Sequence, residues 1–210
     1  MSGNERQDGA PGPRRPRRPE DFDVIYQGKP AWDIDRPQPA FLELAEAGVV
    51  TGTVLDVGCG TGEHALMAAA RGCDAVGVDM AAVALATAEN KARERGLSVR
   101  FVVMNALELE ALDQRFDTVL DCGLFHVLDD ADRTRYERSL ATVIVPGGRY
   151  FMLCFSDQQP GDWGPRRIHR DEIVATFADG WHIDSIEPST IDITMDPNGA
   201  RAWLASITRT

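Results

Sequence analysis

Short unbroken apolar runs along this chain alternate with stretches in which apolar residues return every three or four positions. The first pattern predicts buried strands at 53–57, 75–78, 99–103, 116–121 and 149–155. The second predicts helices over about 38–47, 63–71, 81–95, 130–143 and 170–178, with Gly72 and Gly96 closing the second and third. A polar crossing joins 99–103 to 116–121, and Pro146-Gly147-Gly148 reads as a turn ahead of the next strand. Strands that alternate with helices need crossovers, and crossovers give parallel strands in one sheet with helices on its faces. Near the C-terminus, apolar segments at 181–187 and 201–208 flank the turn sequence Asp196-Pro197-Asn198-Gly199. These two are expected to pair antiparallel at one edge of the sheet.

The first twenty residues break both patterns. Met1, Ala10 and prolines supply their only apolar surface, too little to offset the entropy of ordering the chain. Residues 1–20 therefore read as a disordered, basic Pro/Arg-rich tail, and 21–210 as one domain. Within that domain, Phe22, Val24, Ile25, Tyr26 and Trp32 are too apolar for a solvated linker, while Pro30, Pro37 and Pro39 interrupt any long helix. An ordered arm over 21–48 is the expectation. The tail carries five arginines against three acids, so the net charge of −11 leaves −13 on the remainder, which disfavours a nucleic-acid partner. Cys59, Cys73, Cys122 and Cys154 show no metal spacing and are expected as reduced core residues of a cytoplasmic protein. No run approaches the ~20 apolar residues of a membrane span, and the N-terminus lacks an apolar signal region.

Chemistry concentrates where Val54-Leu55-Asp56-Val57 runs straight into Gly58-Cys59-Gly60-Thr61-Gly62. Alternating glycines permit a sharp turn and let a ligand approach backbone N–H groups. Asp79 ends the next apolar run, 23 residues after Asp56, where a carboxylate suits ribose hydroxyls. No Gly-Lys-Ser/Thr follows, so the loop is not a phosphate-binding P-loop. A dinucleotide pattern matches only at Gly60-Thr61-Gly62-Glu63-His64-Ala65, two residues too far from the strand. It would also set Glu63 against the pyrophosphate. An NAD(P)-dependent oxidoreductase is retained as the rival. Asp56, inside a strand, needs a partner: a cationic ligand or local backbone N–H groups. A ligand with an ammonium, a sulfonium and a ribose but no phosphate suits such a loop.

The run Val54–Gly62 resembles the first motif of class I S-adenosylmethionine (SAM)-dependent methyltransferases, and the resemblance covers about 22–210 with the later motifs in order. It implies a Rossmann-like α/β fold: a seven-stranded sheet, mostly parallel with one antiparallel edge strand, order 3-2-1-4-5-7-6, and helices on both faces. It implies SAM as cofactor, with Asp56, Gly58, Cys59, Gly60, Thr61 and Gly62 in the loop. Asp79 would grip the ribose, Met80 would pack on adenine, and Asn105-Ala106 would meet the adenine edge, although Asn105 could equally cap a short helix. Phe116–Gly123 matches the fourth strand and the wall beside the transferred methyl, which brings in Asp121 and Cys122. The arm around Tyr26 and Trp32 is similar to the N-terminal segment of thiol, thiopurine and halide methyltransferases, where a tryptophan covers the cofactor. Trp32 reads as such a lid or as a core anchor. Gly123–Arg167 resembles bacterial methyltransferases of small heterocycles, phenols and thiols.

Methyl transfer from a sulfonium asks mainly that a nucleophile be held in line. A base is required only where the acceptor keeps its proton at working pH. His126, in Gly123-Leu124-Phe125-His126-Val127-Leu128, is the candidate base, or else a hydrogen-bonded core histidine. His64 is expected in a structural or cofactor-adjacent role. Tyr26, Phe125, His126, Trp163, Arg166 and Arg167 are the substrate-side candidates. The loop 156–168 either clamps a flat or anionic acceptor through Trp163 and the paired arginines, or is a surface loop pinned by Trp163. The expected activity is methylation of a small molecule at O, S or N. A catalytically silent SAM-binding protein is the second rival. No His/carboxylate cluster calls for a metal.

Overall fold

Thr53–Val57 forms the central strand β1 because its side chains alternate between two buried faces. Leu55 and Val57 enter one core, and Val54 enters the other. The computed structural model describes residues 19–210, so the expected tail falls outside them except for Pro19 and Glu20. Around β1 lie β2 (Asp74–Asp79), β3 (Arg100–Val103), β4 (Phe116–Cys122), β5 (Ile144–Phe155), β6 (Trp181–Ile193) and β7 (Asp196–Arg209). They make one seven-stranded sheet in the order β3-β2-β1-β4-β5-β7-β6. The first five strands pair in parallel, and β7 runs antiparallel to both β5 and β6. The single antiparallel strand thus stands one place in from the edge.

Helices cover both faces. Phe41 and Ala45 of α2 (Pro39–Glu46) and Met67 and Ala68 of α3 (Glu63–Ala70) pack with Val54, Ala75, Leu120 and Phe151. On the other face, Tyr136, Leu140 and Val143 of α5 (Asp130–Val143) and Ile173 of α6 (Arg170–Thr176) pack with Leu55, Val76, Val119 and Tyr150. A further helix, α4 (Ala82–Glu94), follows β2. None of the described helices is long and apolar enough to cross a membrane.

The departures from the sequence expectation have local causes. Pro19–Tyr26 forms a helix, α1, whose prolines lie outside its interior. The polar crossing holds a 3₁₀ segment, Ala106–Leu112, because Asn105 Oδ1 accepts the Leu107 N–H at 3.1 Å and caps it. Pro146-Gly147-Gly148 does not precede β5. It is looped out within it, with pairing passing from Phe116↔Ile144 to Thr118↔Arg149. The last hairpin turns at Thr194-Met195, not at 196–199, since Ile191, Ile193, Ala200 and Ala202 extend both strands to cover Phe41. Asp196 Oδ1 instead accepts the Asn198 N–H at 2.9 Å, a local turn inside β7.

Candidate active site

The register aligns Val57 with Val78 and with Asp121, so β1, β2 and β4 release their C-terminal loops at one edge. That edge is where open α/β sheets bind ligands. Gly60 (φ 51°) and Gly62 (φ 83°) take left-handed conformations there. A Cβ on Gly60 would lie 2.5 Å from the Tyr26 hydroxyl, and one on Gly62 would meet Ala88 at 2.8 Å and the Phe101 ring at 2.9 Å. Only glycine lets the loop sit this tightly.

Asp79 organises the loop. One carboxylate oxygen accepts the Gly60 N–H and the other the Ala81 N–H, both at 2.8 Å. Burial raises its carboxyl above the usual range, and the two N–H bonds pull the other way. Hydroxyl donors from a ribose fit a partly exposed carboxylate so placed. Met80, also partly exposed, follows directly. Asn105 spends its side-chain oxygen on the cap. Ala106 is buried, and its carbonyl accepts from Ser139 Oγ at 2.8 Å, on the α5 side.

Asp56 is 1% exposed; its Oδ2 accepts the Ala65 N–H at 3.0 Å, while its buried Oδ1 has no hydrogen-bond partner among the described residues. His64 Nε2 accepts the Gln38 N–H at 3.2 Å, which leaves the proton on Nδ1, 3.7 Å from Asp56. His64 therefore ties the arm to β1. Glu63 is buried and takes two 2.8 Å bonds from Arg95 and a 2.9 Å contact from Lys91. Burial alone would raise its carboxyl, but these cations hold it below the usual range. A charged, paired Glu63 occupies the helix start that a pyrophosphate would need, which removes the dinucleotide reading.

The arm lies across the loop. Thr61 Oγ1 donates to Asp33 at 3.1 Å, and Lys91 bridges Thr61 (3.0 Å) and Asp35 (3.3 Å), which also pairs with Lys29. Trp32 Nε1 donates to the Tyr26 hydroxyl at 3.1 Å, with Trp32 half exposed. Burial, and then the Asp79 charge, push the Tyr26 phenol upward. The hydroxyl of Tyr26, a substrate-side candidate, lies against Gly60 of the glycine loop. Asp23 of α1 accepts the Val83 N–H at 3.1 Å, at the start of α4.

Beyond β4 the sequence expectations divide. Asp121 is fully buried and accepts from Tyr136 (2.9 Å), Tyr150 (2.7 Å) and the Leu124 N–H (2.9 Å). Burial pushes its carboxyl up to about 6. Its bonds to the Leu124 and Phe125 N–H groups fix the bend at Gly123. Phe125 is fully buried too, 4.8 Å beneath the Arg133 guanidinium and beside Phe177. Cys122 remains partly exposed at the strand end. His126 Nδ1 accepts the Phe155 N–H at 3.0 Å. A neutral imidazole so bonded carries its proton on Nε2, which stands beside Gly123. The bond to the Phe155 N–H is what ties the candidate base to the start of the loop after β5.

The loop 156–168 is pinned from inside. Arg167 donates to the carbonyls of Gln159, Gly161, Trp163 and Pro165, at 2.7–3.2 Å, and lies over the Phe155 and Trp163 rings at 5.4 and 5.7 Å. Arg166 pairs with Asp130 and Glu172. Both guanidinium groups of the candidate clamp thus have partners within the chain. Trp163, 37% exposed, meets Phe155 edge-on at 5.7 Å. Phe155 is the centre of this cluster, and reading the sequence overlooked it. Its one signal was its place as the last apolar residue before the loop.

Comparison with known proteins agrees with this geometry. A family model described as a methyltransferase domain matches residues 54–148. The chain is 37% identical over 181 residues to the 2-heptyl-1-hydroxyquinolin-4(1H)-one methyltransferase of Mycobacteroides abscessus, covering 81% of this chain and 80% of that protein. A structure solved in work on the conversion of a disulfide bond into a thioacetal group during echinomycin biosynthesis superposes with a TM-score of 0.84 at 35% identity, over 90% and 92% of the two chains. The fold alone is shared with the magnesium protoporphyrin IX methyltransferase of Synechocystis PCC 6803, solved with bound S-adenosylhomocysteine (TM-score 0.65, 18% identity, 81% and 80% covered).

Proposed function

The chain belongs to the class I SAM-dependent methyltransferases and methylates small-molecule acceptors; from that premise we propose that the acceptor is a flat heteroaromatic held between His126 and Trp163. One observation carries the assignment of the cofactor end: Asp79 receives the Gly60 N–H at 2.8 Å, so the ribose-binding carboxylate and the glycine loop are a single unit. The backbone of Gly58–Gly62, Asp79, Met80, Asn105, Tyr26 and Trp32 form the cofactor set, and the arm over 21–48 is its cover. Asp56, Asp121 and Phe125 support that set from the core. When bound, SAM supplies a methyl carbon on a sulfonium, already a good leaving group. The protein's share is to shield the site from water and to align the acceptor beside Gly123.

The acceptor class is supported by likeness to the hydroxyquinolone enzyme and by the aromatic wall of Phe155 and Trp163. Four free thiols and a net charge of −11 fit a reducing cytoplasm and an acceptor that is not a polyanion. Calorimetry with SAM and S-adenosylhomocysteine tests the cofactor end, with micromolar binding as the expected result. Mass spectrometry of turnover with hydroxyquinolones and simple aliphatic alcohols tests the acceptor end. Equal or better turnover of the alcohols would overturn the heteroaromatic assignment.

A further inference from the structure

The last hairpin reaches past the sheet that carries it. β5 pairs with β7 only as far as Phe155↔Ala202, whereas β6 runs beside β7 on to Ile193↔Asp196. A projecting pair of strands is marginal by itself, and a buried glutamine holds each strand of this one. On β6, the ladder skips Asp192 between Ile191↔Ala200 and Ile193↔Asp196. Gln38 takes up its backbone groups: Oε1 accepts the Asp192 N–H at 2.8 Å, and Nε2 donates to the Asp192 carbonyl at 3.0 Å. Arg36 pairs with the Asp192 carboxylate at 2.7 Å, and the Thr194 N–H donates to the Ala31 carbonyl at 2.8 Å. Between these anchors Asp33 and Asp35 reach Thr61 and Lys91, so the cover is strung between the hairpin and the glycine loop. On β7, the Arg201 N–H, beyond the last β5 pair, goes to Gln159 Oε1 at 2.6 Å. The Arg201 carbonyl accepts the Ser156 N–H at 3.0 Å, and Trp203 Nε1 donates to the Ile168 carbonyl at 3.0 Å. Loop 156–168 is thereby seated on the same hairpin as the cover.

Burying a carboxamide is costly unless its hydrogen bonds are made, so each glutamine holds its segment to the hairpin in a defined arrangement. Resting on the cover and acceptor-loop assignments above, we propose that the hairpin end couples the two. Gln38 and Gln159 are positioning residues that make the seating of one segment favour the seating of the other. Ordering the projecting strands from the β6 side lowers the cost of ordering them from the β7 side. Cofactor bound under the cover therefore orders the acceptor loop before an acceptor arrives. By reciprocity, an acceptor that orders the loop tightens the cofactor by the same factor.

The test is hydrogen exchange on the full chain, without and with saturating S-adenosylhomocysteine. In the unmodified protein, the ligand should slow exchange over 26–38 and, by at least about fivefold, over 157–163 as well. Gln159→Ala should keep the slowing over 26–38 and lose it over 157–163. Gln159→Glu, whose carboxylate can still accept the Arg201 N–H, should regain it. Gln38→Met, which removes both bonds to Asp192, should weaken S-adenosylhomocysteine about tenfold and lose the slowing in the loop even at saturation. A purely structural role would raise exchange in each variant but leave the ligand-dependent difference in the loop intact. Slowing confined to 26–38 in the unmodified protein would overturn the coupling. Slowing over 157–163 that survives in both Gln159→Ala and Gln38→Met would remove the two glutamines from it. Binding without slowing over 26–38 would overturn the cover assignment, and a protein that fails to bind S-adenosylhomocysteine the methyltransferase reading itself.

Discussion

The proposed cofactor and acceptor regions are built by different means. The cofactor end is mostly backbone: three left-handed glycines, N–H groups held by Asp79, and a helix that starts at once. The proposed acceptor end is mostly side chain on side chain, with His126 on Phe155, Trp163 edge-on to the same ring, and Arg167 over the Phe155 and Trp163 rings. Backbone geometry tolerates no added atom, whereas a side-chain cluster can exchange members. The first end is suited to one constant ligand, and the second can be retuned for different acceptors.

That contrast can be broken at the backbone end first. Gly62→Ala adds a Cβ 2.8 Å from Ala88 at a φ of 83°, combining left-handed strain with overpacking, for a loss of about 3–5 kcal/mol. Urea unfolding reads it, and a loss below 1 kcal/mol would mean that the loop yields and the contrast is false.

Asp121 sharpens the boundary between the two ends. Its carboxyl is pushed up to about 6, against 3.8 as the ordinary value, so the folded protein holds a proton that the unfolded chain releases. The stabilisation this gives is complete below about pH 4 and is lost as pH rises to about 6, by roughly 3 kcal/mol. Asp121→Asn should remove that fall. Parallel stability curves for the two proteins between pH 4 and 7 would contradict it.

Asp79→Ala should cost the cofactor about a hundredfold in affinity, since two charge-assisted bonds to the loop and the ribose contacts vanish together. Calorimetry would show it, and an unchanged Kd would remove Asp79 from the site. The smallest effect is expected at Asp23→Ala, about 1 kcal/mol, read as faster hydrogen exchange across α1 and the first turn of α4. Exchange raised in neither segment would refute the docking of α1.

The same contrast explains how much the sequence disclosed. The loop and Asp79 were legible because a strand, a glycine turn and a second strand are local patterns with fixed spacing. The sheet order followed from resemblance, and the strand bounds came within a few residues except at the start of β5 and in the last hairpin. His126 was legible as a residue but not as a tautomer. The Phe155 N–H that decides it lies 29 residues away, across two strands that only the folded sheet makes neighbours. Arg166 and Arg167 looked like free cations because adjacent letters do not reveal that one faces Glu172 and the other its own loop. Asp121 carried a family position, but its two tyrosine partners come from α5 and β5 and no spacing announces them.

The link between Asp23 and Val83 has a consequence for traffic through the site. Ala81, which opens α4, has no side chain able to cap it, and Asp23 reaches over from α1 to do that work. The cover that lies on the glycine loop thus also finishes the frame it closes against. A displacement of α1 would also free the Val83 N–H at the start of α4, so the arm and that helix end are expected to loosen together.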